Sequence, residues 1–438
     1  MDNHEIARHI FLAGIKGVLP GKLINDLIYL RGSVFKIGYM SYDLKVTEKI
    51  FVIGAGKASA AMAHYLESIL GGRITKGFVV TKYGYSCKLK YITLSEAGHP
   101  VPDANSYKAA EEILNIASGA GENDLVICLW SGGGSSLLAD HPEFSSFDDM
   151  ALLNEKLVKC GADIGEMNAV RKHLSKVKGG QLAKHITPAS YVSILLSDVI
   201  GDPADIIASG PTVPDNSTFS DALRVIEKYN LAEELPPVLL NYLRDGVQGL
   251  KPETPKPGDE VFRKSALFYA GNNKTALQCA KAESESLGFE TFIVTDSLKG
   301  DTEDAAAFII NGIHNCRNDN SVKKPACLLY GGETTVRVTG IGKGGRNQHL
   351  ALYMAFQIRD VPGITFLSGG TDGNDGDTDA AGAGVNSETI REAHENNIDP
   401  EVYLKNFDSY NFFKLTGGLI ITGPTLTNVM DLMVAIIE

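Results

Sequence analysis

The sequence predicts an α/β protein of two domains, and three observations carry that expectation. Short apolar runs recur, each ending in a glycine-rich bend. Lys49–Ile53 precedes Gly54-Ala55-Gly56-Lys57, Asp124–Trp130 precedes Ser131-Gly132-Gly133-Gly134-Ser135-Ser136, and Leu328–Tyr330 precedes Gly331-Gly332-Glu333. A strand, a glycine turn and a helix in that order open a doubly wound α/β domain. Second, glycine makes up 46 of 438 residues, well above the usual ~7%, and much of the excess lies in bends of this kind. Third, the pattern is interrupted once. Asn216–Gly258 is helical, then rich in proline and charge (KPETPKPGDE), without a buried strand; a second α/β pattern starts at Ser265. The expected domains are 1–240 and 241–438.

The elements follow in order. MDNHEIARHIFLAGIKGVLP has no basic leader ahead of a long apolar core and reads as an amphipathic helix ending near Pro20. After the first strand, Ala58–Leu70 is an alanine-rich helix, Gly77–Thr81 is a strand, Tyr91–Leu94 leads to Glu96-Ala97-Gly98-His99-Pro100, and Ser106–Ala117 is a helix. Asp124–Trp130 is a buried strand and Phe147–Cys160 a helix. Met167–His185 is a basic helix with a Gly-Gly break, and Tyr191–Leu196 a strand ending in Ser197-Asp198. In the second half, Ser265–Ala270, Glu290–Val294 and Ile364–Leu367 read as strands, and Gly418–Thr422 precedes the turn Gly423-Pro424-Thr425. Lys274–Leu287 and Asp301–Ile313 read as helices, and so does the last stretch, Asn428–Ile437, which packs on its own domain or returns to the first.

Composition narrows the function. With 44% hydrophobic and 21% charged residues the chain is globular rather than disordered. A formal net charge of -12 argues against general binding of nucleic acid or of anionic membranes. No run reaches the ~18 apolar residues of a membrane span. The cysteines Cys87, Cys128, Cys160, Cys279, Cys316 and Cys327 lack zinc-ligand spacing and read as reduced, with Cys128 and Cys327 inside strands. A cytoplasmic location is expected.

Four constellations carry chemistry. At Gly54-Ala55-Gly56-Lys57 the glycine spacing fits neither a dinucleotide fingerprint, whose third glycine would be Ser59 and whose ribose acid is missing, nor a Walker motif. What survives is Gly56 and Lys57 at a strand-to-helix turn, a charge clamp for a phosphoryl group or a carboxylate. Ser131, Gly132, Gly133, Gly134 and Ser135 leave backbone amides bare beside hydroxyls, an anion cradle that does not match a nucleophile elbow. Arg171 and Lys172, with His173, Lys176 and Lys178, give a basic helical face that could neutralise a polyphosphate or be merely solvated. Asp198 ends a buried strand, where α/β proteins place ligand groups.

The stretch Leu328–Ala383 gathers three further bends: Gly331-Gly332-Glu333, then Lys343-Gly344-Gly345-Arg346-Asn347, then a loop with Asp372, Asp375, Asp377 and Asp379. Any one of these reads equally well as a surface turn. Together they suggest a phosphorylated ligand and a hard cation.

The segments GAGKASAAMA, GHPVPD, SGGGSS, MNAVRKHLSKVKGGQLA, LLSDVIGDPADIIASGPTVPD, GGETTVRVTG, GKGGRNQHLALYMA, GGTDGNDGDTDAAGA and TGPTLTNVMDL, in that order over almost the whole chain, resemble the class II glycerate kinases, the family with a MOFRL C-terminal domain. The resemblance implies a Rossmann-like N-terminal domain, a MOFRL α/β domain and an active-site cleft between them. It implies phosphorylation of D-glycerate to 2-phosphoglycerate with ATP and Mg²⁺. Its lysine, aspartate and arginine fall on Lys57, Asp198 and Arg346. Glu333, Asp372 and Asp375 are the candidates to hold Mg²⁺, and Gly344, Gly345 and Asn347 to bind substrate or nucleotide. The chain departs from the family at Asp377 (usually Pro), Leu426 and Met430 (usually Gly and Asn) and Ser136 (often Ala). The expected partner is the small-molecule substrate, with no nucleic acid and no membrane, and a homo-oligomer is left open. The competing readings are an NAD(P)H-dependent hydroxypyruvate reductase and a non-catalytic binding sensor.

Overall fold

The computed structural model describes residues 2–438. Contacts divide the chain into two compact units. One holds Ile24–Leu196 and Asp202–Ala270; the other holds the residues up to Leu23, Ser197–Gly201 and Gly271–Glu438. The first 23 residues therefore group with the C-terminal unit, and 241–270 with the N-terminal one, unlike a single cut at 240.

In the N-terminal unit a three-stranded antiparallel meander comes first: β1 (Ile28–Arg31), β2 (Val34–Ile37) and β3 (Met40–Asp43). It is unforeseen, because its alternation is short and half-exposed. The main sheet follows, built from β4 (Ile50–Ala55), β5 (Ile74–Lys82), β6 (Thr93–Ala97), β7 (Leu125–Ser131), β8 (Ser190–Leu196) and β9 (Ser265–Gly271) in the spatial order β6-β5-β4-β7-β8-β9. The pairs from β6 through β8 are parallel. Every residue of β4 and β7 is buried, as expected for central strands covered on both faces. The chain runs outward from β4 through β5 to β6, then returns to the other side of β4 at β7. That reversal is where open α/β sheets leave a crevice at their carboxyl ends, and β4 and β7 end in the Gly56-Lys57 and Ser131–Ser135 bends.

The basic stretch expected as one helix is two, Ile164–His173 and Gln181–Ile186. Gly179 and Gly180 at φ +58 and +76 turn the chain between them, a region glycine enters without strain.

The C-terminal unit holds a mixed sheet of β10 (Glu290–Asp301), β11 (Ala326–Thr335), β12 (Ile364–Gly370), β13 (Gly382–Asn386), β14 (Leu419–Ile420) and β15 (Asp431–Ile437), ordered β10-β11-β15-β12-β13-β14. The expected terminal helix is β15, a central strand antiparallel to both β11 and β12. All seven of its residues are buried. A strand covered on both faces is a continuous apolar run, and periodicity cannot separate that from a buried helix. Met433, Ala435 and Ile437 face a core shared with Tyr330, Leu350, Met354 and Phe366. On the other side the helix Asn3–Gly17 packs tightly: a Cβ at Gly14 would lie 3.4 Å from Leu432 Cδ2, and one at Gly17 2.3 Å from Cys279 Sγ. These close approaches fix the N-terminal helix to this unit. Among the described residues no helix is long and apolar enough to cross a membrane, and all six cysteines are free thiols.

Candidate active site

In the N-terminal unit the candidate residues gather where β4 and β7 end. Gly56 has φ +135, and a Cβ there would stand 2.1 Å from Ser131 Oγ, so only glycine lets the two bends touch. Ser131 is buried and its Oγ accepts from the Ala58 amide at 3.0 Å; Gly132 O accepts from the Lys57 amide at 2.8 Å. Ser131 thus ties the two bends together. Gly133, at φ +79, lies between the Lys57 and His99 side chains: a Cβ would be 3.5 Å from Lys57 Cγ and 2.8 Å from His99 Nε2. A Cβ at Gly134 would meet Ala208 Cβ at 2.6 Å. The loop is therefore thin, and Lys57 crosses its face.

Two neighbours escape sequence reasoning. Ser135 Oγ is 2.7 Å from Ser209 Oγ, which in turn donates to Asn168 Oδ1 at 3.3 Å. Ala208 and Ser209 have φ +52 and +59, a conformation that costs a non-glycine residue about 1–2 kcal/mol. Strain of this kind collects at functional sites. The IIASGP motif was visible, but which serine met which was set by the fold.

The basic helix divides. Arg171 is half-buried; its Nε donates to Asn154 Oδ1 at 2.7 Å, and burial pulls its pKa down. Lys172 points elsewhere. It is buried and pairs with Asp205 at 3.1 Å and Asp215 at 3.3 Å. Burial would raise the Asp215 carboxyl, but the Lys172 charge and the Ser217 hydrogen bonds outweigh it and hold it below its ordinary value. Lys178 is also buried and lowered to about 8 by that burial. Its Nζ donates to Leu138 O at 2.6 Å, bracing the chain just past the glycine loop. Of this basic run, Arg171 lines a cavity together with Ser135 and Ser136.

In the C-terminal unit Arg346 opens the helix Arg346–Ile358. Its Nε and Nη2 donate to Asp431 at 2.6 and 2.9 Å, and Nη1 lies 3.0 Å from Glu333. Asp431, missed from the sequence, is fully buried at the start of β15, opposite Gly332 of β11 and Gly370 of β12. Burial opposes the Arg346 charge, but Asp431 and then Glu333 overcome it and raise its pKa. Its detectable signature was a lone aspartate ahead of an unbroken apolar run, a buried charge that requires a partner.

Asp198 accepts from Asn428 Nδ2 at 2.9 Å. Asn428 and Asp431 are three residues apart, so one segment holds both Asp198 and Arg346. That segment is itself strained, with Leu426 at φ +61 and Met430 at φ +70. These are two of the positions where the sequence departs from the resemblance noted above, which puts Gly and Asn there, and those two residues tolerate such φ.

The expected metal ligands separate. Asp375 is buried; its Oδ1 accepts from the Asn347 amide at 3.0 Å and its Oδ2 from the Gln348 amide at 2.8 Å. The Asn347 and Gln348 side-chain amides also reach it, at 3.3 and 3.0 Å. Both oxygens are engaged at the start of the Arg346 helix, and burial pushes the carboxyl up to about 6. A Cβ at Gly345 would be 2.3 Å from the Asp375 carboxyl, so that glycine serves this contact; one at Gly344 would crowd Ser409 Oγ at 2.3 Å. Asn347 is fully buried and its Oδ1 accepts from Ser368 at 2.6 Å. Glu333 is occupied with Arg346, and Asp372 Oδ1 accepts from the Asn374 amide at 3.1 Å. Among the described residues no group of three or more His, Cys, Asp or Glu is placed to hold a metal ion. The donor set does not fit a resident metal centre.

Comparison with known proteins places the chain. Residues 6–244 match the family described as Domain of unknown function (DUF4147), and 326–431 match the MOFRL family. The D-glycerate 2-kinase of Thermotoga maritima is 43% identical over 394 residues, 89% of this chain and 91% of that one. The glycerate 2-kinase of Pyrococcus horikoshii is 40% identical over 439 residues, 100% and 98% of the two chains. The crystal structure of glycerate kinase from Thermotoga maritima superposes with a TM-score of 0.87 at 39% identity, covering 99% of each chain. With its motifs, its sheets and these relatives in agreement over nearly its full length, the chain belongs to the class II glycerate kinases, the family with a C-terminal MOFRL domain.

Proposed function

We propose that this protein is a glycerate 2-kinase, transferring the γ-phosphoryl group of ATP to the 2-hydroxyl of D-glycerate. The observation that carries the reading is the pair of differently built cations. Lys57 lies across a glycine-thinned loop, and Arg346 is aligned by a buried carboxylate. In-line phosphoryl transfer requires positioning and charge neutralisation more than covalent help. Lys57 offsets charge on the transferring group, Arg346 anchors the glycerate carboxylate or that same group, and Asp198 orients or deprotonates the attacking hydroxyl. Gly56, the Ser131–Ser135 loop and Arg171 take the nucleotide or substrate anion. Magnesium enters as MgATP, a substrate, and Glu333 and Asp372 are the carboxylates proposed to meet it; Asp375 serves its helix.

The strand order β6-β5-β4-β7-β8-β9 supports reading the N-terminal unit as Rossmann-like. A cytoplasmic location belongs to the same proposal. The reductase alternative lacks support: Ser59 stands where a third glycine belongs, and β5 ends at Lys82 where a ribose acid is expected. The test is ADP release from MgATP with D-glycerate, run beside NADH and NADPH oxidation with hydroxypyruvate. Release of ADP without coenzyme oxidation is expected; coenzyme oxidation without ADP would overturn the proposal.

A further inference from the structure

A cavity lies beside the glycine loop, entirely within the N-terminal unit. Its volume is about 680 Å³, within the range of small-molecule sites. Its apolar lining includes Pro100, Val101, Pro102, Tyr107, Phe147 and Met150, and Ser135, Ser136 and Arg171 also line it. Three properties set it apart from an ordinary surface dimple.

Its walls are apolar and aromatic yet open to solvent. Val101 is 71% exposed, Val158 63% and Phe147 39%. Tyr107 and Phe147 meet edge to face, centroids 5.0 Å apart, giving a rigid aromatic corner of the kind on which a flat ring stacks.

Its charged lining is Asp140, Glu155, Lys159 and Arg171; Glu155 pairs with Lys159, and Asp140 accepts from Ser175 Oγ. Arg171 lines the cavity, and its recorded bond is the one from Nε to Asn154. No carboxylate among the described residues pairs with the guanidinium, which leaves its terminal nitrogens for an acceptor from outside the protein. A guanidinium is suited to phosphate oxygens.

The cavity is also continuous with the anion loop. Ser135 and Ser136 belong to both, while Gly133, two residues earlier, packs against Lys57. The order along this face is therefore apolar cavity, Arg171 with Ser135, glycine loop, Lys57. That is the order of the parts of a nucleoside triphosphate: base, ribose with its first phosphates, and terminal phosphate.

We infer that this cavity is the nucleotide-base subsite. It seats a purine ring against Tyr107 and Phe147, sets the first phosphates against Arg171 and Ser135, and directs the terminal phosphate to Lys57. The inference rests on the kinase reading and adds where the nucleotide lies.

Two variants test it, Ala151→Trp, which fills the cavity from an exposed helix position, and Arg171→Gln, which removes the cation. Each raises KM for ATP by at least about tenfold, and with Ala151→Trp KM for D-glycerate and kcat stay within about twofold, the pattern of lost nucleotide binding alone. Ala151→Trp also lowers the affinity for a fluorescent N-methylanthraniloyl ADP, measured by titration without acceptor. Unchanged KM for ATP in both variants overturns the inference. So does a rise in KM for D-glycerate instead, which would make the cavity the acceptor site. A change in oligomeric state with unchanged kinetics also overturns it, since the face would then be a subunit contact. If the wild type shows no kinase activity, the kinase reading fails separately. The titration still decides the cavity: equal binding of the fluorescent nucleotide by wild type and Ala151→Trp counts against it.

Discussion

The two units hold their candidate cations in opposite ways. In the N-terminal unit the chemistry sits on backbone. Glycines at 56, 133 and 134 bring strand ends so close that added side chains would collide, and Lys57 lies over the loop they form. In the C-terminal unit it sits on side chains. Arg346 is gripped by Asp431 and Glu333, the helix it opens is capped by buried Asp375, and Asn428 holds Asp198. The first arrangement depends on glycine at the bends; the second depends on the carboxylates that meet Arg346. The difference teaches that a cation named by a motif can be placed by close-packed backbone, as Lys57 is, or by buried carboxylates, as Arg346 is.

The largest effects come from removing the cations. Lys57→Ala and Arg346→Ala each lower turnover by about two to four powers of ten, read in steady-state assays. Near-wild-type turnover in either removes that residue from the mechanism.

Next comes the buried cap. The Asp375 carboxyl is raised from its ordinary value of 3.8 to about 6, so between those values the folded state holds a proton that the unfolded state has lost. Its contribution to stability is fullest below pH 4 and falls as pH rises to 6. The difference between wild type and Asp375→Asn in denaturant unfolding therefore shifts against the wild type by about 3 kcal/mol over that window. A flat difference would show that Asp375 ionises freely.

Loosening the grip is the third. Asp431→Asn leaves Arg346 in place but misaimed, costing about a hundredfold in turnover. In a double-mutant cycle the loss is not additive with Arg346→Ala, because both act through one guanidinium. Additive losses would separate Asp431 from Arg346 and break the comparison. The smallest effect is at Leu426, held at φ +61. Leu426→Gly relieves the left-handed strain and stabilises by up to about 1 kcal/mol, seen as a raised thermal midpoint.

Much of this was legible in the sequence. The strand, glycine bend and helix repeat carried the parallel sheet, because buried strands and bends that need positive φ leave local marks. Lys57, Asp198 and Arg346 were legible as motif residues. What stayed hidden was set by tertiary pairing. Asp431–Ile437 is a strand because β11 and β12 flank it. The N-terminal helix joins the distant unit through Gly14 and Gly17. Asp375 meets the amides of Asn347 and Gln348 across 28 and 27 residues of sequence, a contact set by the fold. Leu426 and Met430 stood out as departures from the family, but only the backbone shows that they occupy left-handed positions.

The central claim is tested most directly by the product. The protein is incubated with MgATP and D-glycerate, and the mixture is passed to enolase with no mutase present. The account predicts phosphoenolpyruvate, since only a phosphate on the 2-hydroxyl gives enolase its substrate. ADP without phosphoenolpyruvate would place the phosphate on another oxygen, and no ADP at all would contradict the kinase assignment for this substrate.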